Sequence, residues 1–313
     1  MLTFRPGRAG DLRAVFELGE SAWDASRRSR GLLGPAEGRG TEELGADWQR
    51  SRAFFEFVAA QPDGSFWIGE DGDEIVAYAR MARFGAMDEL TELWVEPSHG
   101  GQGIGRSLLE RVWPESPTPE LGRVVVTLGT PVDLSLYTEF GVMPVSGHWH
   151  MRHRVEHYLE QRAQEVDAAE PSVHGLTAAR AVEEWKRLEP AAIGHERPLL
   201  HDFFGRTRNS FALLDQQSGG ARALCWVSSN GDIGPAVAES PEDLVPVVLA
   251  ALDHVAKTQE AETFGVFCTT DSWWLLYRLR RLGFRVHWPA WVMSSVPLPG
   301  LDRYVPTSPP RLL

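Results

Sequence analysis

The stretch of sequence that decides the fold is Leu93-Trp94-Val95-Glu96-Pro97-Ser98-His99-Gly100-Gly101-Gln102-Gly103-Ile104-Gly105-Arg106-Ser107-Leu108-Leu109. Its apolar beginning predicts a β-strand that ends at Pro97. Four of the six residues from 100 to 105 are glycine, which predicts a turn, and Ile104, Leu108 and Leu109 have the spacing of one helix face. The first amides of a helix lack intrahelical partners and lie at the positive end of its dipole. A strand, a glycine turn and a helix start in this order therefore favour a phosphate-binding site.

The glycine turn has three interpretations. In the first it is only a tight connection. In the second it is another type of nucleotide loop. A Walker A loop needs Lys and then Ser or Thr after its last glycine, where this chain has Arg106 and Ser107. A dinucleotide fingerprint needs Gly-x-Gly-x-x-Gly after the first strand, which the spacing of Gly101, Gly103 and Gly105 does not match.

The third interpretation is a resemblance to a known family. Val-x-Pro, a short polar stretch and then Gly-x-Gly-Ile-Gly-x-x-Leu-Leu, from Val95 to Leu109, resemble the acetyl-CoA loop of the GNAT family of N-acetyltransferases. That loop usually carries Arg or Gln, two free positions and then Gly-x-Gly. Gly100 takes the place of the Arg or Gln here, which removes a side chain but keeps the backbone amides.

The composition limits the class of protein. A length of 313 residues predicts about two domains, and 43% apolar residues with 12 Trp are enough for buried cores. The net charge of -12 argues against a general nucleic-acid binder and is compatible with an amine substrate. Cys225 and Cys268 are expected to be reduced and buried. With no secretory signal and no apolar run near the roughly 18 residues of a membrane span, we expect a cytoplasmic protein that does not enter a membrane.

The order of predicted elements extends the resemblance to residues 1–155. Strand, two helices, three strands, helix, strand, helix and strand follow one another, as in the GNAT fold. That α/β (α+β) fold has a mixed, mostly antiparallel sheet flanked by helices, and it holds the pantetheine arm between two splayed strands. The resemblance implies acetyl-CoA as co-substrate, with backbone groups of Trp94 and Val95 holding the acetyl carbonyl and the pantetheine. The amides that would hold the pyrophosphate are those of Gly100, Gly101, Gln102, Gly103, Ile104, Gly105 and Arg106.

Direct attack of an amine on a thioester needs a base, an acid and a donor to the carbonyl oxygen. Glu89 and Glu92 lie three residues apart on the strand before the turn, so only one of them is expected to face the cleft. The resemblance to histone-acetylating members slightly favours Glu89, and the alternative is that both are solvated strand carboxylates. Leu136-Tyr137-x-x-x-Gly141 resembles the family's Leu-Tyr-x-x-x-Gly-Phe, which implies that Tyr137 protonates the leaving thiolate. The alternative for Tyr137 is half-buried packing.

Three histidines lie near the end of the predicted first domain. His148 and His150 would share one face of a strand, but the spacing indicates no third ligand, so we predict no metal site. The ordinary interpretation is a strand with Trp149 and Met151 packed inward and the histidines more exposed to water. His150 could then line a substrate cleft.

The second half repeats the order of elements. Residues 156–171 are charged and predict a linker, residues 172–298 predict a second GNAT-like domain, and residues 299–313 predict an extended Pro-rich tail. The second copy is expected to be degenerate, because no glycine lies between Val237 and Leu244 and because Leu279 stands where the first copy has Tyr137. The chain is thus similar to tandem members of the family.

We therefore predict a tandem N-acetyltransferase that acetylates a primary amine of a small molecule or a peptide in a ternary complex. The alternative is an acyl-CoA binding or sensing protein with little turnover, which the departures at Gly100 and at Thr130, a position where the family often has Asn, favour. No nucleic-acid or membrane partner is expected. The sequence leaves open the identity of the amine, the length of the acyl group and the oligomeric state, for which a homodimer is one option.

Overall fold

The computed structural model describes residues 1–29, 40–114, 116–165, 171–308 and 311–313. It divides the chain into two compact units, one formed by residues 1–83 and 88–121 and the other by residues 84–87 and 122–313. These units do not coincide with the predicted domain boundary at residue 155, because the strands between residues 122 and 154 pair with strands of the second half. Residues 166–170 of the predicted linker and residues 309–310 of the predicted tail lie outside the described residues.

The first unit contains a small sheet with helices packed on it. Its strands are neighbours in the order β1 (Leu2–Pro6), β2 (Ser65–Asp71), β3 (Glu74–Phe84) and β4 (Met87–Val95), and its helices are α1 (Leu12–Ser29), α2 (Thr41–Ala59) and α3 (Ile104–Val112). Phe16 of α1 contacts Trp48 and Phe55 of α2 with ring centroids 5.4 Å apart in both pairs. Burial of these aromatic side chains holds the two predicted helices together.

The second unit contains two groups of strands. Its elements in chain order are β5 (Gly122–Thr127), α4 (Pro131–Glu139), β6 (Met143–Arg154), α5 (Val155–Gln164), β7 (Val173–His174), α6 (Ala178–Ile193), α7 (Pro198–Thr207), β8 (Arg208–Leu214), β9 (Ala221–Ser228), β10 (Ile233–Ala238), α8 (Pro241–Thr258), β11 (Thr263–Thr269), α9 (Trp273–Arg281), β12 (Arg285–Ser294) and β13 (Tyr304–Val305). One group has the order β5-β12-β6-β11 and the other the order β13-β10-β9-β8-β7. The mixed α/β class predicted from the sequence is confirmed.

The strand order of the second unit departs from a simple repeat. Strand β12 pairs antiparallel with both β5 and β6, so a strand from the second half lies between two strands of the first half. Strand β11 pairs with the other edge of β6. Helix α8 covers this sheet group and the neighbouring one with a continuous apolar core.

The predicted linker and tail are built into the second unit. Helix α5 occupies most of the predicted linker, and its Tyr158 is fully buried with its hydroxyl donating to Asp253 at 2.6 Å. Arg162 of the same helix forms an ion pair with Asp253 at 2.9 Å. The predicted tail contributes β13, which pairs with β10. The described parts of both segments are therefore packed into the unit, α5 through Tyr158 and Arg162 and the tail through β13.

The histidines of β6 correct one expectation. His148 is fully buried and stacks on Phe267 with centroids 5.0 Å apart, and His150 stacks on the same ring at 4.6 Å. Burial lowers the pKa of both imidazoles to about 3. The histidines are therefore not the wetter face of the strand, although Met151 is buried as predicted.

The described residues contain neither a candidate metal site nor a candidate membrane span. In these residues no group of three or more His, Cys, Asp or Glu side chains is arranged to hold a metal ion. No helix in the described ranges is both long enough and apolar enough to cross a membrane.

Candidate active site

The predicted strand, glycine turn and helix are all present in the first unit. Strand β4 ends at Val95, residues Pro97–His99 form one turn of 3-10 helix, and α3 begins at Ile104. Gly101 and Gly103 have φ angles of 75° and 77°. These angles lie in the left-handed region, which L-residues with a side chain rarely adopt, so the turn needs glycine at both positions.

The N-terminus of α3 is suited to bind an anion. Its N-cap is Gly103, so no side chain caps the helix, and its first turn contains no acidic residue. A Cβ atom placed on Gly101 or Gly103 would meet no heavy atom of the described residues within 4 Å. The first amides of α3 and the helix dipole therefore have open space beside them, which fits a pyrophosphate.

A polar network that the sequence analysis missed holds the start of the turn. The Glu96 carboxylate accepts from the Ser98 backbone N–H at 2.9 Å and lies 3.0 Å from His99 Nδ1. The Ser98 hydrogen bond is the main cause that lowers the pKa of Glu96, and the Glu96 contact is the main cause that raises the pKa of His99. Asp71 of β2 lies 3.7 Å from His99 Nε2. The order Glu-Pro-Ser could have predicted this network, because a carboxylate two residues before a backbone amide commonly accepts its hydrogen bond in such a turn.

The corresponding helix start in the second unit is closed. Helix α8 has Ser240 at its N-cap and Pro241 as its first residue. The Asp243 carboxylate accepts from the Ser240 hydroxyl at 2.9 Å and pairs with Arg222 at 2.7 Å. A negative charge already occupies this helix start, so the second copy is unsuited to hold a pyrophosphate.

The two candidate bases on β4 are buried rather than solvated. Glu89 is 1% exposed and Glu92 is 5% exposed. Glu92 forms an ion pair with Arg80 of β3 at 2.7 Å, and the Arg80 guanidinium lies 4.4 Å from the centre of the Phe55 ring. The alternative of solvated strand carboxylates is therefore wrong. Glu92 is engaged by a cation in the core of the unit.

The aromatic residue at the end of β4 is partly exposed. Trp94 contacts Trp23 of α1 edge to face, with ring centroids 6.2 Å apart. Val95 is also half-buried. These two residues, which the sequence analysis expects to hold the acetyl and pantetheine groups through their backbone, thus lie in the first unit with the glycine turn.

Tyr137 belongs to the second unit. It lies on α4, whose N-cap Thr130 accepts from the Asp133 backbone N–H at 3.1 Å. The ring is 5% exposed, which is more buried than the packing alternative expects. Burial is the main cause that raises the pKa of Tyr137, with smaller effects from Asp133 and from a hydrogen bond with Thr127. The phenol therefore keeps its proton at neutral pH.

Comparison with known proteins identifies a domain and a fold. A family model described as an acetyltransferase (GNAT) domain matches residues 62–141. A search of curated protein sequences finds no match. Among solved structures, the chain is similar to a putative acetyltransferase from Pyrococcus horikoshii, with 16% identity and a TM-score of 0.66 over 97% of this chain and 92% of that one.

Two further solved structures are also similar over almost the whole chain. A tandem GNAT protein from the clavulanic acid biosynthesis pathway is 18% identical, with a TM-score of 0.61 over 95% of this chain and 99% of that one. A GCN5-related N-acetyltransferase from Sphaerobacter thermophilus is 16% identical, with a TM-score of 0.53 over 94% and 95%. Identities this low show the fold alone, and the shared fold extends over nearly the whole chain. The chain therefore contains a GNAT acetyltransferase domain match at residues 62–141 and has the fold of tandem GNAT proteins over nearly its whole length.

Proposed function

We propose that the chain transfers an acetyl group from acetyl-CoA to a primary amine of a small molecule or peptide by direct attack in a ternary complex. The observation that carries the proposal is the open N-terminus of α3 behind Gly101 and Gly103. An uncapped helix start without acidic residues is favourable for the pyrophosphate of CoA. The closed start of α8 in the same chain supports cofactor binding in the first half only.

The proposed reaction needs few groups from the protein. The amine nitrogen attacks the thioester carbonyl, an N–C bond forms, the C–S bond breaks, and CoA leaves as a thiolate that takes a proton. CoA supplies the activated acyl group, and the backbone of Trp94 and Val95 orients it. The N–H of Val95 is the proposed donor to the carbonyl oxygen, where negative charge develops.

The reaction needs a proton acceptor for the amine and a proton donor for the thiolate. The ion pair with Arg80 occupies one of the carboxylate oxygens of Glu92, so Glu92 is the weaker candidate for the base. Glu89, which the resemblance to histone-acetylating members favours, is the proposed proton acceptor from the amine. Tyr137, whose buried phenol is protonated at neutral pH, is the proposed proton donor to the thiolate.

A second function has a specific observation in its favour. Gly100 offers no side chain to the pyrophosphate, and one of the two candidate bases is engaged in a buried ion pair. Both facts favour an acyl-CoA binding or sensing protein that turns over little. The two functions share the cofactor site and differ in turnover.

The experiment measures binding first and turnover second. Calorimetry with acetyl-CoA tests the site, and release of free CoA thiol with a panel of primary amines tests transfer. We expect Tyr137→Phe to lower kcat about 100-fold and to leave the Kd for acetyl-CoA unchanged. Tyr158→Phe is the matched control, because it also removes a buried tyrosine hydroxyl from the second unit. Binding without turnover on any amine would favour the sensor, and absence of binding would refute both functions.

A further inference from the structure

Helix α9 carries a row of exposed aromatic side chains. Trp273 is 69% exposed, Trp274 is 56% exposed and Tyr277 is 53% exposed. The rings of Trp273 and Tyr277 stack, with centroids 6.5 Å apart and planes 17° apart. Because a large aromatic side chain has an area of about 150–250 Å², the three exposed parts amount to roughly 400 Å². The largest exposed apolar patch on a typical monomer measures about 300–600 Å² and often has a function, so this patch is a candidate interaction surface.

The same face of α9 ends in two cations. Arg280 and Arg281 are exposed at the C-terminal end of the helix, and the two tryptophans lie at its N-terminal end. At about 100° per residue, the two tryptophans, the two arginines and Tyr277 fall within an arc of about 120°. Tyr277 lies at the centre of this arc. It is also the midpoint in sequence, three and four residues from the arginines and from the tryptophans.

We propose that this face is the interface of a symmetric homodimer in which the α9 helices of two copies pack antiparallel about a two-fold axis at Tyr277. The axis brings the tryptophans of each copy opposite the arginines of the other copy. It also brings Tyr277 of one copy opposite Tyr277 of the other. Each guanidinium then contacts an indole ring, an arrangement that is attractive through the ring's quadrupole. The face is therefore its own complement.

Other occupants fit the face less well. An anionic partner would pair with Arg280 and Arg281 but would leave the tryptophans in water, whereas an aliphatic partner would offer the two cations neither a counter-charge nor an aromatic ring. Two copies bury roughly 800 Å² of aromatic surface, and the apolar stems of the arginines add to it. This area is at the lower end of specific interfaces, so we expect a dissociation constant on the order of 10 µM.

Sedimentation velocity of the full chain tests the proposal with two complementary variants. The wild type is expected to pass from monomer to dimer between about 1 and 200 µM, the range around a micromolar dissociation constant. The first variant, Trp273→Lys with Trp274→Lys, brings lysines opposite arginines. The second, Arg280→Glu with Arg281→Glu, brings carboxylates opposite indole rings. Each variant alone is expected to be monomeric over the whole range.

An equimolar mixture of the two variants is expected to dimerise again. In the mixed dimer lysines face glutamates at one end and tryptophans face arginines at the other. A monomeric wild type, a dimer that persists in both single variants, or a mixture that stays monomeric would overturn the proposal. Binding of the monomeric wild type to phosphatidylserine vesicles in place of dimerisation would also overturn it, because the face would then be a membrane contact.

A cross-linking experiment tests the position of the axis. Tyr277→Cys places a thiol on the axis, so mild oxidation is expected to join two copies by a disulfide in most of the protein. Val132→Cys is the matched control, since residue 132 is 75% exposed and belongs to α4 rather than α9. Cys225 and Cys268 are buried and do not compete. Equal cross-linking at residues 277 and 132 would place the interface elsewhere and overturn the proposal.

Discussion

A negative charge on the second residue of α3 tests the anion site directly. Gly105 follows Ile104, the first residue of the helix, and is half-buried. Glu and Gln at this position have the same size and differ by one charge. A Glu carboxylate roughly 6 Å from a diphosphate with two charges is repelled by about 1.4 kcal/mol even at the dielectric constant of water. We therefore expect Gly105→Glu to bind acetyl-CoA at least about tenfold more weakly than Gly105→Gln.

The same carboxylate is favourable for the fold. Acidic residues near a helix N-terminus stabilise the helix by about 0.3–1 kcal/mol, and both Glu and Gln have a higher helix propensity than Gly. The melting temperature of Gly105→Glu should therefore be no lower than that of Gly105→Gln. A loss of affinity without a loss of stability separates an electrostatic effect on the ligand from damage to the protein.

Calorimetry at low and high ionic strength measures the effect. The ratio of the two dissociation constants should fall towards one as salt rises, because the Debye length shrinks from about 10 Å at 0.1 M to about 3 Å at 1 M. Equal dissociation constants for the two variants at low salt would refute the placement of the pyrophosphate at this helix. So would a Gly105→Glu variant whose weaker binding follows a lower melting temperature.

Two further predictions concern the first unit. Glu92→Ala leaves the buried Arg80 without its carboxylate, so urea denaturation should show a loss of about 3–5 kcal/mol in the free energy of unfolding. The exposed Glu56→Ala is its control and should cost less than about 1 kcal/mol; a comparable loss in both would contradict the assignment. The pKa of His99 is raised above its ordinary 6.5, so its contact with Glu96 stabilises the fold below pH 6.5 and is lost as the pH rises through the raised pKa. The melting-temperature difference between the wild type and His99→Gln should therefore shrink with rising pH, and a difference that grows would show that the imidazolium does not stabilise this turn.

The site elements that could be predicted from sequence are those with a local signal. The end of β4, the glycines at positive φ and the apolar face of α3 all depend on residues within one short stretch. Helix starts and tight turns are decided by neighbours in sequence, so the pattern contains the information. The start of α8 is a local signal of the same kind, whereas α7 and β13 were not predicted.

Pairings between distant residues were not predictable from the sequence. Nothing in the residues of β12 indicates that it lies between β5 and β6 rather than at the edge of its own half, because strand order depends on packing over the whole unit. The partner of Glu92 was missed for the same reason, since Arg80 lies on another strand. His148 was expected to be more exposed to water because side chains alternate between the two faces of a strand. This alternation does not show that other elements cover both faces of the strand, as they do at His148.

The contrast between α3 and α8 is the strongest argument that the first half binds an anion. Helix α8 begins with a proline as its first residue and acids in its first turn, and the Ser240 hydroxyl before it donates to the Asp243 carboxylate. Helix α3 has no capping side chain, a glycine as its second residue and a cation, Arg106, as its third. Each of these choices disfavours an isolated helix: the glycine N-cap by roughly a few tenths of a kcal/mol relative to Ser or Asp, the second glycine by about 1 kcal/mol and the arginine by about 0.3–1 kcal/mol. The missing cap, the glycine and the arginine all favour the binding of an anion, because the glycines leave the backbone amides accessible and the arginine adds positive charge. A turn that served only as a connection would have no reason to combine them, so the instability of this helix start indicates a site that is completed by its ligand.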